Sequence, residues 1–259
     1  IICIVLAVFL VTAIFGMADM FIRGQILQAQ QENGNWHIGI RNISDEDAKL
    51  IASRPEVAAA ADYGVFNYRG GQGYTLSGKN VAVCGSNKSA VTEIFAALDK
   101  GSFPANGDEA LVTNNAKNML HLEIGEQIVI TMPDGSERAY TISGFMNNTV
   151  GIMSRDSYGV CLTTESFRAI YPDGTSSNPA DYTMRLLKFK STRNIQSSIA
   201  EIKQQFGLSD EQVSENTELL GLLGQSSNSF MLQVYAVAVV LFILVLIAGV
   251  LMITSSMNS

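Results

Sequence analysis

The chain has 259 residues, 47% of them hydrophobic, and its 24 acidic and 17 basic side chains give a net charge of −7 and a pI near 4.9. That acidic balance argues against nucleic acid as a partner and against docking on anionic lipid headgroups through the charged part of the chain. Every Asp, Glu, Lys and Arg lies between Asp19 and Glu218, so both ends are uncharged.

Residues 1–18, IICIVLAVFLVTAIFGMA, and 231–253, MLQVYAVAVVLFILVLIAGVLMI, each read as a transmembrane helix. The second run would span roughly 34 Å as a helix, enough for a hydrocarbon core of about 30 Å. The first starts at Ile1 with no basic leader, which predicts the truncated first helix of a longer protein rather than a signal peptide. Positive charge is scarce beside both runs: Arg23 follows the first, and 211–230 contains no Lys or Arg. That scarcity predicts an extracytoplasmic middle segment.

Residues 19–35 are expected to continue the first helix outward as a stalk, with Met17, Met20, Phe21 and Leu27 near helical spacing until Asn33, Gly34 and Asn35 break it. Region 36–73 reads as strand, helix, strand. Trp36, Ile38 and Ile40 alternate in strand period, Ser44 with Asp47 opens a helix that stops before Pro55, and Val57–Tyr68 is extended and apolar. Region 74–163 reads as an inserted β-rich subdomain, with a hairpin turning at Pro133-Asp134-Gly135 and short helices at Ala90–Leu98 and Asn114–Leu120.

After a turn at Pro172-Asp173-Gly174, region 164–208 supplies a strand at Tyr182–Phe189. A helix follows whose Ile195, Ile199, Ile202 and Phe206 form one apolar stripe. Ser209 with Gln212 predicts a fresh helix cap opening a return stalk over 209–230, and 254–259 begins a cytoplasmic segment. The expected fold class is α+β. A split β-α-β subdomain, built from both ends of the segment, encloses the β-rich insertion and is flanked by two transmembrane helices with stalks.

Residues that carry chemistry are sparse. His37 and His121 stand apart from any cysteine or carboxylate at ligand spacing, and His37 reads as an outward-facing strand residue. Cys3 lies inside the first apolar run, leaving Cys84 and Cys161 as small core residues or as a pair. The glycines of Arg69–Gly73 do not open a helix, and no phosphate-binding loop is present. No catalytic, cofactor-binding or metal-binding residue is assigned, no cofactor is expected, and substrate-binding residues are left unnamed.

The stretch LDKGSFPANGDEALVTNNAKNMLHLEIGEQIVI (98–130), with YTISGF at 140–145, resembles the extracytoplasmic core domain of FtsX-like and MacB-like ABC transporter permeases. Gly101, Pro104, Glu109, Ala110–Val112, Ala116, Leu122, Gly125, Ile128 and Gly144 carry the resemblance as landmarks of architecture. It implies a multi-pass permease subunit in a bacterial plasma membrane. Its partners would be a separate cytoplasmic ABC ATPase and a second copy of itself or a homologous permease. It would export or extract a peptide, drug or lipid-like substrate, antimicrobial peptides among them, without enzymatic activity of its own. The alternative from the same outline is the ligand-binding domain of a membrane sensor or chemoreceptor.

Overall fold

A computed structural model of the chain describes residues 2–68, 70–147, 157–170, 182–225 and 230–257. The turn expected at Pro172-Asp173-Gly174 lies outside them, as do Asn258 and Ser259 of the expected cytoplasmic segment. Helix α1 (Ile2–Asn33) leads into β1 (Ile38–Ile40), α2 (Asp45–Ala52) and β2 (Val57–Phe66). Then come β3 (Thr75–Leu76), β4 (Lys79–Ser86), a π-helical turn at Ala90–Ile94, β5 (Leu98–Gly101) and β6 (Glu109–Thr113). The chain continues through α3 (Asn114–Leu120), β7 (Gln127–Thr131), β8 (Glu137–Met146), β9 (Tyr158–Thr163) and α4 (Thr164–Ile170). After β10 (Tyr182–Phe189), α5 (Ile195–Phe206), β11 (Val213–Glu215) and α6 (Thr217–Leu222), it ends in α7 (Phe230–Met257).

The chain divides into two compact units, one holding α1 as far as Ala29 with α6 and α7, the other holding the eleven strands found among the described residues. In the first unit α1 and α7 are long and apolar enough to cross a membrane. Their apolar side chains are exposed, Phe9 at 66% and Leu251 at 63%. Phe15 and Phe242 meet with ring centroids 6.1 Å apart.

In the second unit, β11-β1-β10-β2 form an antiparallel sheet in the spatial order fourth, first, third, second of a split β-α-β arrangement. The insertion between its second and third strands closes on itself. Strands β4, β3, β7, β8, β6 and β9 pair in succession, and β9 returns to pair parallel with β4. Strand β4 belongs to both parts: Asn80 and Lys79 pair with β3, while Val83–Ser86 pair with β2. The ring encloses Val81, Val83, Val112, Ile130, Ile142 and Val160, all buried. On the opposite face of the ladder, Ala61, Tyr63, Cys84, Leu111 and Cys161 pack under Val91 and Ile94 of the π-helical turn.

Local chemistry places the elements. Ser44 Oγ accepts the Asp47 N–H at 3.0 Å and donates to the Asp47 carboxylate at 2.7 Å, closing the N-terminus of α2. Ile195, Ile199 and Ile202 are the buried residues of α5, as the stripe predicts. At the β7–β8 turn the Asp134 carboxylate accepts the Ser136 N–H and hydroxyl, which hold its pKa below the usual range.

Two expectations change. The helix expected over Ala90–Leu98 stops at Ile94, because the Phe95 N–H bonds back five residues to Ala90 and Ala96 turns left-handed (φ 45°). Leu98 is thereby released to pair with β8. Ser209 and Gln212 do not open a helix. Gln212 Oε1 accepts the Ser209 N–H at 3.1 Å, a turn forms, and Val213–Glu215 pair with β1 as an edge strand. The capping pattern is local; the unpaired edge of β1 wins because it offers a ladder of backbone partners.

Helix α4 is seated by a gap in the sheet. Gly64 and Gly85 stand opposite one another on β2 and β4, and Phe167 lies on them. A Cβ at Gly85 would fall 2.2 Å from Phe167 Cγ. Gly85→Ala is expected to cost about 1–3 kcal/mol by overpacking. In thermal unfolding of the detergent-solubilised chain, Gly85→Ala with Phe167→Ala should cost less than the two single losses added.

Candidate functional site

Two polar clusters stand out in the strand-bearing unit, the first half-exposed around the covered Arg185 and the second buried around Asn216. The first lies where α2 and α4 meet over β2 and β10. Arg185 on β10 stands directly opposite Asp62 on β2 and forms an ion pair with it. The same guanidinium reaches Asp45, the first residue of α2, where a carboxylate is also favoured by the helix dipole. Arg168 from α4 approaches that carboxylate at 3.6 Å.

Arg185 is only 16% exposed, so its two carboxylates are its replacement for water. Hollows of about 150 and 300 Å³ flank this cluster. Tyr63, Thr164, Phe167 and Thr183 line the first, and Ala48, Ala52, Ala60 and Lys49 line the second. The alanines leave room that larger helix–sheet side chains would fill. Nothing in the sequence marked Arg185: it lies in an alternating strand and its partners are 123 and 140 positions away.

The second cluster sits where the chain enters and leaves the unit. Asn216 Nδ2 donates to the carbonyls of Gly34 (3.2 Å) and Trp36 (3.0 Å), and its backbone N–H donates to His37 O at 2.9 Å. Trp36 Nε1 donates to Asn33 O at 2.7 Å, and the Asn35 N–H to Ile94 O at 2.7 Å. Gly34 has φ +88°, and a Cβ there would meet the Phe95 ring at 2.7 Å. The link after α1 is therefore held from three sides.

His37 is part of this clasp and corrects the outward-facing reading. It is buried, its Nδ1 accepts the Phe189 N–H at 2.9 Å, and its ring stacks on Phe189. Strand β1 is an inner strand covered on both faces, which the short alternation of Trp36–Ile40 could not reveal. Burial, reinforced by the charge of Lys188, lowers the His37 pKa to about 4. His121 instead ends α3 in the left-handed conformation, exposed. Among the described residues no group of three or more His, Cys, Asp or Glu is placed to hold a metal ion.

The sequence landmarks are placed as architecture. Gly101 and Gly144 face each other across β5 and β8, so close that a Cβ on either would lie 2.4 Å from a backbone carbonyl oxygen. Glu109 accepts the Ala105 N–H at 2.8 Å and the Asn106 amide at 3.2 Å, tying the turn that contains buried Pro104. The Gly125 N–H donates to Ile142 O at 2.9 Å with φ +93°. Ala110, Val112, Ala116 and Ile128 are buried in the ring, with Leu122 packed against it.

The sequence signature of the MacB-like periplasmic core domain matches residues 1–205. The chain belongs to that family. The resemblance to FtsX-like and MacB-like permeases is thereby borne out, and the α+β class with two apolar terminal helices stands. The MacB-family chain is similar to the periplasmic region of MacB from Actinobacillus actinomycetemcomitans (9% identity, TM-score 0.49, covering 74% of this chain and 94% of that one). It is also similar to the extracellular domain of the ABC-type transporter YknZ from Gram-positive bacteria (10%, 0.45, 70% and 98%). A permease-protein domain from Porphyromonas gingivalis is a third similar structure (12%, 0.44, 68% and 76%). No curated protein matches the chain.

Two outcomes are expected of these clusters. Arg185→Met leaves Asp62 and Asp45 without their shared cation and should lower stability by about 1.5–3 kcal/mol, read from thermal or denaturant unfolding. The unfolded state protonates His37 near pH 6.5 and the folded state only near 4, so the unfolded chain binds more protons between those values. The His37 contribution is present above pH 6.5 and is lost as pH falls toward 4, on the order of 2–3 kcal/mol. The difference between the pH–stability curves of the wild type and His37→Gln, which keeps an acceptor but does not titrate, isolates this term.

Proposed function

We propose that the chain is the domain-bearing part of an ABC transporter permease, lying in a bacterial plasma membrane with the strand-bearing unit outside. A separate cytoplasmic ATPase hydrolyses ATP, and α1 and α7 carry the resulting movement to that unit. A second copy or a homologous permease completes the assembly. The cargo is a peptide, drug or lipid-like molecule that is exported or extracted, with cationic antimicrobial peptides suited to the net charge of −7. The chain performs no chemistry itself.

The observation that carries this reading, beside family membership, is the clasp. The chain enters at β1 and leaves at β11, strands in direct register from Ile38↔Glu215 to Ile40↔Val213. The chain thus enters and leaves the strand-bearing unit on two adjacent strands, where Asn216 binds the entering backbone. A displacement delivered at either point loads the same pair of strands. Membership and clasp together support a mechanical role over a catalytic one.

The full-length protein, extracted from membranes in mild detergent and identified with its companions by mass spectrometry, is expected to carry an ABC ATPase in near-stoichiometric amount. A histidine kinase or chemotaxis adaptor in its place would overturn the permease reading and make the domain a sensor.

A further inference from the structure

Cys84 on β4 and Cys161 on β9 are register partners in the parallel ladder that closes the strand ring. Their thiols are buried, with Sγ atoms 3.0 Å apart, and Ser86 Oγ lies 3.2 Å from Cys161 Sγ. Neighbouring strands lie about 4.8 Å apart, within the Cα–Cα range of about 4.4–6.8 Å that a disulfide spans. Forming a bond of about 2.05 Å needs the two sulfurs to approach by about 1 Å in all, a small side-chain rotation at each end and not a shift of the strands. Within residues 1–259 the remaining cysteine, Cys3, lies in the first apolar helix, which leaves Cys84 and Cys161 as partners in the strand-bearing unit.

We propose that Cys84 and Cys161 are joined by a disulfide in the mature protein, a covalent modification that locks the ring. The inference rests on the extracytoplasmic placement of the strand-bearing unit, since a reducing cytoplasm would keep the thiols apart. The oxidant is a protein disulfide of the dithiol-oxidase class. One cysteine thiolate attacks it to give a mixed disulfide, and the second displaces the oxidase thiolate. The pair loses two protons and two electrons, and the oxidase disulfide becomes a dithiol.

Full burial in the folded state means that this exchange takes place before the ring closes. Burial also raises the Cys84 thiol pKa well above its usual range, so little thiolate remains for later exchange. The cross-link spans 77 positions of sequence and clamps β9, which β6 holds by only two register pairs, Leu111↔Cys161 and Val112↔Val160. A loop of that length is where a cross-link restricts the unfolded chain strongly.

The test uses the full-length protein in native membranes. Free thiols are blocked with N-ethylmaleimide under denaturing conditions, the sample is reduced, and newly exposed thiols are labelled with deuterated N-ethylmaleimide for peptide mass spectrometry. Cys84 and Cys161 are expected to carry the heavy label and Cys3 the light one. Light label on both Cys84 and Cys161 overturns the proposal.

With reductant present throughout heating, so that it reaches the pair as the ring opens, the unfolding midpoint of the detergent-solubilised protein should fall by about 10 °C, and the Cys84→Ala, Cys161→Ala double variant should show no response to reductant. An unchanged wild-type midpoint also counts against the bond. Membrane-impermeant maleimide on intact cells carrying Glu137→Cys reports sidedness separately. Labelling with a reduced pair overturns the disulfide alone; no labelling overturns the placement and the disulfide with it.

Discussion

Strand β4 is the constraint on which the strand-bearing unit depends. One of its sides is divided between β3 and β2, and its other side pairs in parallel with β9. The four-stranded sheet and the closed ring are therefore one continuous hydrogen-bonded ladder, not two bodies joined by a flexible connection. Shared backbone bonds between adjacent strands resist hinge motion there, because bending would leave buried N–H and C=O groups unpaired. The Gly64–Gly85 pair lies at this junction, and the seat it makes for Phe167 fastens α4 over both parts.

The polar clusters follow the same logic of obligatory satisfaction. Arg185 ties β10, β2 and α2 through two carboxylates, and Arg168 brings α4 to the same point. Asn216 donates to the Gly34 and Trp36 carbonyls, which the irregular backbone at 33–37 cannot satisfy by itself, and His37 Nδ1 accepts the Phe189 N–H where the register of β10 shifts. A single side-chain amide bridging two chain segments 182 and 180 positions apart makes the entry and exit of the chain one mechanical point. Side-chain hydrogen bonds of this kind raise the cost of local unfolding where the chain enters and leaves the unit.

The family landmarks turn out to be rules of backbone approach. Gly101 and Gly144 let β5 and β8 touch, Gly125 supplies a positive φ, and Glu109 ties off the turn around Pro104. None of these side chains lines the hollows beside Arg185. These landmarks thus build a scaffold, and the polar clusters are made by other positions.

Much of the fold was legible because its signals are local. The apolar runs, the Ile195–Ile199–Ile202 stripe, the Ser44 cap and the Pro133-Asp134-Gly135 turn each depend on residues within a few positions of one another. The misses were decided by distant partners. Residues 213–215 became a strand because β1 offered an open edge, and Leu98 became a strand because β8 offered another. His37 went inside because β10 and β11 flank β1.

By itself the sequence determined two helices long and apolar enough to cross a membrane, an α+β unit between them and the family, since hydropathy, periodicity and turn chemistry are properties of contiguous residues. Tertiary structure alone decided the double role of β4, the Arg185 and Asn216 clusters and the meeting of Cys84 with Cys161. Those depend on which distant strands share backbone hydrogen bonds, and strand register is fixed only when the whole sheet buries its faces together.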